Sequence, residues 1–98
     1  MYSVIIESKT EKTSYIMATG LTAQEAESLC DSWGWTYDNG KEAFWMSIEK
    51  VDTPAFDYLK RAILDSKFET VEDSIDAIQN YYKRELITQK QRVELLKL

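Results

Sequence analysis

The chain has 98 residues, 44% of them hydrophobic and 30% charged, with a formal net charge of −5. That length and composition fit one ordinary globular domain rather than a disordered chain, and the acidity argues against non-specific binding to nucleic-acid phosphates, which needs Lys and Arg. With no histidine and one cysteine, Ser-His-Asp and Cys-His nucleophiles, a four-ligand zinc site and an internal disulfide are all excluded.

Residues 2–8 and 13–19 read as two strands rich in Val, Ile, Tyr and Thr, separated by the polar stretch Lys9-Thr10-Glu11-Lys12. Gly20 ends the second strand. Thr22 with Glu25 three residues on is a capping box that opens a helix. Ala26, Leu29, Cys30 and Trp33 recur at helical spacing and form its apolar face, and Gly34 is its stop. Trp35-Thr36-Tyr37 and Ala43 to Lys50 read as a second hairpin around Asp38-Asn39-Gly40, where Asn-Gly is a strong turn signal. Strand alternation puts Phe44, Met46 and Ile48 on one face and Trp45, Ser47 and Glu49 on the other. Trp33, Trp35, Tyr37 and Phe44 are expected in the core. Trp45 is expected on the opposite sheet face, beside Ile5 or Ile16, unless a helix covers that face.

Thr53-Pro54 opens a second helix, with Thr53 as N-cap and Pro54 at the first helical position. Phe56, Leu59, Ile63 and Leu64 form its apolar face. A third helix begins at Thr70, and the stripe Val71, Ile75, Ile78, Tyr82, Leu86, Val93 and Leu96 carries it to the end of the chain. About 27 residues would span roughly 40 Å, against a globule roughly 33 Å across. Such a helix overhangs the body, and its tail can pack on a second copy or a partner; the alternative is a break near Leu86 to Gln89. The expected fold is thus α+β with order β-β-α-β-β-α-α, one domain over 1–98 made of a ββαββ unit (1–50) and a helical extension (51–98).

Charge is divided unevenly. Residues 1–79 carry 15 Asp/Glu and 7 Lys/Arg, whereas residues 80–98 carry 2 Glu and 5 Lys/Arg. Glu69, Glu72, Asp73 and Asp76 fall at i, i+3, i+4 and i+7 at the start of the third helix. Carboxylates there complement the helix dipole, as Lys90, Arg92 and Lys97 do at the other end. The functional reading is an acidic strip that imitates nucleic-acid phosphates, extended by Glu49, Asp52 and Asp57, with Trp45 as an aromatic anchor. No pair of carboxylates stands out as catalytic, the glycines are too scattered for a phosphate loop, and no metal or cofactor is expected. The basic tail, with Lys83, Arg84, Lys90, Arg92 and Lys97, lacks an aromatic platform, so direct nucleic-acid binding is not expected. Cys30 reads as a small buried hydrophobe.

The stretch Gly20-Leu21-Thr22-Ala23-Gln24-Glu25-Ala26-Glu27, followed by Trp33-Gly34-Trp35, Asp38-Asn39-Gly40 and Phe44-Trp45-Met46, resembles small accessory proteins of bacterial mobile elements and phages, a loose group that includes anti-CRISPR proteins. The resemblance covers residues 1–50 and is one of style, a compact acidic ββαββ unit; it transfers no catalytic or binding residue. It implies a stoichiometric inhibitor of a host defence protein, such as a CRISPR effector nuclease.

The leading expectation is therefore a non-enzymatic, cytoplasmic binding protein that blocks a basic nucleic-acid-binding surface through Glu49, Asp52, Asp57, Glu69, Glu72, Asp73, Asp76 and Trp45. The alternative is a homo-oligomer assembled through the C-terminal helix at Leu86, Val93 and Leu96. The sequence contains no signal-peptide pattern and no apolar run long enough for a membrane span.

Overall fold

A computed structural model describes residues 1–98. The chain is α+β, with a four-stranded antiparallel sheet and four helices, and it divides into two compact units, Met1–Val51 and Asp52–Leu98.

The first unit contains β1 (Tyr2–Ser8), β2 (Ser14–Leu21), α1 (Ala23–Ser32), β3 (Thr36–Asp38) and β4 (Ala43–Lys50). The strand order is β2-β1-β4-β3. The central pair, β1 and β4, runs in unbroken register from Tyr2 opposite Lys50 to Ser8 opposite Phe44. Against β2 the register of β1 shifts on either side of Val4, a bulge that bends the edge. Val4, Ile6, Phe44 and Met46 point to one face and close on Ala26 and Cys30 of α1. This is the alternation expected of β4. On the opposite face Ser3 and Thr19 are buried and share a hydroxyl–hydroxyl hydrogen bond of 2.8 Å; Ile16 is also buried there, while Glu7, Trp45, Ser47 and Glu49 are exposed.

The capping box at the start of α1 forms as read. Thr22 Oγ1 accepts from the Glu25 amide at 3.2 Å, and Glu25 Oε1 accepts from the Thr22 amide at 3.1 Å. The β3–β4 turn is a four-residue loop rather than a two-residue one. The Asn39 amide donates to the Glu42 carbonyl, and the Asn39 Oδ1 accepts from Lys41 and Glu42 amides. Only Gly40 takes positive φ, at 87°. The expectation of a core Trp33 and Trp35 is corrected: they are 46% and 41% exposed. The helix ends at Ser32, so both lie beyond the buried turn. Trp33 is instead the outer member of an aromatic row. Its ring meets Tyr37 edge-on at 5.2 Å, Tyr37 lies 5.8 Å from Phe44, and Phe44 lies 6.2 Å from Tyr15.

The second unit contains α2 (Ala55–Leu64), α3 (Val71–Lys83) and α4 (Gln89–Leu96). Pro54, not Thr53, is the N-cap of α2, and no side chain caps it. Leu59 and Ala62 are its buried residues, while the expected Leu64 is exposed. The single long C-terminal helix is corrected and the alternative, a break near Leu86 to Gln89, is what occurs: the chain leaves the helix between Lys83 and Gln89 and a fourth helix follows, giving β-β-α-β-β-α-α-α. The buried face of α3 is Ala77, Ile78 and Tyr81, so the expected stripe is turned by about one residue: Val71, Ile75 and Tyr82 are exposed.

One local device ends α1, α2 and α3. In each, the amide two residues past the C-cap reaches back to the third-last helical carbonyl: Trp35 to Cys30, Lys67 to Ala62 and Leu86 to Tyr81. The amide between bonds one carbonyl further on: Gly34 to Asp31, Ser66 to Ile63 and Glu85 to Tyr82. These are Schellman motifs, which need a left-handed residue at the position after the cap. Gly34 supplies it for α1 at φ 67°, but Ser66 and Glu85 adopt φ 54° and 60° without being glycine. Thr88 then starts α4 with a second capping box, paired with Gln91. Arg92 ties α4 to α3, donating from Nη1 to Gln79 Oε1 at 3.3 Å and lying over the Tyr82 ring at 4.6 Å.

Candidate interaction surfaces

The acidic residues lie on or beside different elements. Glu72, Asp73 and Asp76 share the N-terminal half of α3, where the unpaired helix amides favour negative charge. None of their carboxylates has an ion pair or hydrogen bond within the chain. Thr70 caps the helix by accepting the Asp73 amide at 3.1 Å, so Glu69 lies before the cap and is not part of the helical stripe. Glu69 instead borders an open groove of about 400 Å³, lined by Ile63, Phe68, Val71, Ile75, Leu96 and Leu98 among others. Asp57 is in the first turn of α2, and Asp52 precedes that helix. Glu49 is on β4, in the first unit, and so is Trp45.

Trp45 is 56% exposed, as expected of the face away from α1. Its ring is not bare, because Lys9 Nζ lies 4.0 Å from the ring centroid. Of the three residues assigned to an oligomer stripe, Leu86 lies in the break after α3, whereas Val93 and Leu96 are three residues apart on α4. Leu96 lines the groove beside α3, Leu86 lines a second, more polar cleft with Tyr82 and Gln91, and Val93 lines neither. All three are half-exposed.

Another aromatic surface went unread in the sequence. Trp35 donates from Nε1 to Asp31 Oδ1 at 2.9 Å, beside the exposed Trp33. Its backbone is held on both sides, by the bond to the Cys30 carbonyl and by the Met46 amide donating to the Trp35 carbonyl at 3.0 Å. It also has a left-handed φ of 62°, uncommon for a bulky residue. The available signal was Gly34: as the left-handed residue of the helix end it places Trp33 at the C-cap and Trp35 beyond the helix.

Cys30 is buried, and burial first, then the adjacent Asp31 carboxylate, push its thiol above the ordinary range, which disfavours the nucleophilic thiolate. No three Cys, Asp or Glu side chains converge as a metal-binding group would. No helix is long and apolar enough to cross a membrane. No protein-family model matches the sequence, and no match is found among curated proteins or solved structures.

Proposed function

We propose that this chain is a non-enzymatic binding protein that occupies a basic, nucleic-acid-binding surface of another protein. The observation that supports this reading most is the row of free carboxylates at the start of α3. Glu72, Asp73 and Asp76 lie within two turns of one helix and no internal cation neutralises them. Such charges set association rate and partner choice chiefly through complementarity. The resemblance of residues 1–50 to small mobile-element proteins points to a host defence protein, such as a CRISPR effector nuclease, as the owner of that surface.

The test has two steps. Tagged protein captures partners from nuclease-treated bacterial lysate at low and high salt. Each captured protein is then assayed for nucleic-acid binding by gel shift, with and without an equimolar amount of this chain. Loss of the shift is expected, with recovery for the Glu72→Gln, Asp73→Asn, Asp76→Asn variant. A gel shift that persists with the native chain refutes the reading. Neutral rather than basic replacements are used because Lys at a helix N-terminus would itself cost about 0.3–1 kcal/mol per site.

A second reading, self-association through the second unit, is favoured by one observation: Val71 is 75% exposed, and Leu96 and Leu98 stand half-exposed at the same groove. Sedimentation equilibrium decides it. A concentration-dependent dimer that Val71→Asp abolishes supports self-association, and a monomer throughout rules it out.

A further inference from the structure

Several aromatic rings in this chain are covered by the chain's own cations. Lys9 lies over Trp45, Lys60 is 5.8 Å from Phe56, and Arg92 is over Tyr82. Trp33 and Trp35 have no such cover, although both are nearly half-exposed. No Lys or Arg occurs between Lys12 and Lys41, and the same stretch holds Glu25, Glu27, Asp31 and Asp38, all exposed. Neither indole has a cation of the chain over it, and Trp35 is bonded to one of these carboxylates, Asp31.

The geometry is specific at Asp31. Glu27 and Asp31 are one turn apart on the exposed flank of α1, and the Trp35 indole continues that row through its bond to Asp31 Oδ1. The second oxygen, Oδ2, accepts nothing from this chain. A planar cation laid on the Trp35 face would reach that oxygen from the side. A guanidinium does both things at once, because it stacks on an aromatic face and forks onto a carboxylate, whereas an ammonium does neither in a plane. A nucleic acid is a poor match, since its phosphates would meet carboxylates with no neutralising Lys or Arg.

We infer that the Asp31–Trp35 end of the first unit is a docking surface for an arginine-bearing segment of a partner protein. One guanidinium stacks on Trp35 and bonds Asp31, and the neighbouring cations of the segment face Glu27 and the Trp33 ring. This surface belongs to the first unit and stands independently of the acidic row on α3.

The probe is a short peptide of alternating arginine and alanine, with its citrulline counterpart, neutral and nearly isosteric, as control. Both are titrated into the ¹⁵N-labelled chain. Saturable movement of the Trp33 and Trp35 indole signals and the Asp31 amide is expected, with Trp45 still and no response to citrulline. Asp31→Asn keeps an acceptor for the Trp35 indole while removing the charge, and is expected to weaken binding by about threefold or more. Trp35→Gly suits the left-handed φ and removes the ring, and is expected to abolish the response of Trp33. Movement confined to the Glu72, Asp73 and Asp76 signals overturns this placement while leaving the acidic-binding reading intact. Equal response to citrulline, or an unchanged affinity in Asp31→Asn, also overturns it. Silence throughout the molecule counts against both.

Discussion

Lys9 holds its ammonium 4.0 Å from the centre of the Trp45 indole, linking the loop after β1 to the outer face of β4. The one aromatic that strand alternation marks as a binding anchor is therefore already engaged. A partner that uses the Trp45 ring must displace Lys9 or bind the pair together. Lys9→Met is expected to move the Trp45 indole signal while those of Trp33 and Trp35 stay, at a stability cost of about 1 kcal/mol or less. An unmoved Trp45 signal would show that the ammonium does not sit there in solution.

The two adjacent tyrosines of α3 separate the observed helix face from the one expected. Tyr81 has no solvent exposure, whereas Tyr82 is exposed under Arg92. Tyr81→Ala should cost about 3–5 kcal/mol, in the range for deleting a buried ring, and Tyr82→Ala about 1 kcal/mol or less. Urea denaturation of the two variants checks this, and similar losses would mean that the helix is rotated from the orientation described.

The non-glycine residues in the helix-ending turns offer a gain. Glu85 takes φ 60° and Ser66 φ 54° where glycine has no Cβ to clash. Glu85→Gly and Ser66→Gly are each expected to raise stability by about 1 kcal/mol, the scale of the left-handed penalty. Replacing Glu85 also removes a negative charge from the unfavourable end of α3. Gly34→Ala, at φ 67° with open space around it, should lower stability by a similar amount for the same reason. Thermal melts of the three variants are sufficient; destabilisation by Glu85→Gly would contradict the turn.

Cys30 makes the stability of the chain depend on alkaline pH. Its thiol loses a proton less readily in the folded state than in the unfolded one, so the folded state holds the proton where the unfolded state has released it. Stability is therefore complete below the ordinary thiol range, about pH 8.5, and declines as pH rises from there toward the raised folded value. Cys30→Ala should remove that part of the decline. Alkylation by iodoacetamide should be slow in the native chain and fast in urea. Equal rates would mean that the thiol is accessible.

Legibility followed the strength of the local chemistry. Thr22 and Glu25 announce a helix start because two short side chains satisfy two amides within four residues, with no help from elsewhere. The face of β4 was legible because strand period admits only two assignments for Phe44 and Trp45. The end of α3 was legible only as one of two readings, from the length of the helix, because its left-handed residue is Glu85, which gives no breaker signal, and the apolar spacing continues across the gap to Val93 and Leu96. The buried face of α3 was misplaced for a related reason. Ala77 and Tyr81 are weaker hydrophobic markers than Val71 and Ile75, so periodicity kept Ile78 but set the face about one residue off. The α3 carboxylates were found, but Trp33 and Trp35 were assigned to the core, since a tryptophan near a helix end is the same letter whether it faces in or out.

The strand order has a kinetic consequence. β1 is central, yet its longest partnership is with β4, whose Lys50 pairs with Tyr2. Both hairpins, β1–β2 and β3–β4, close across short loops, but joining them requires contact between residues nearly fifty positions apart, and such non-local pairings are the slow ones. On a ribosome, the inner edge of β1 would wait uncovered until residue 50 has emerged. The expected slow step for the first unit is therefore the β1–β4 pairing, and substitutions at Val4, Ile6 and Met46 should slow refolding, read by stopped-flow fluorescence, more than those in either turn.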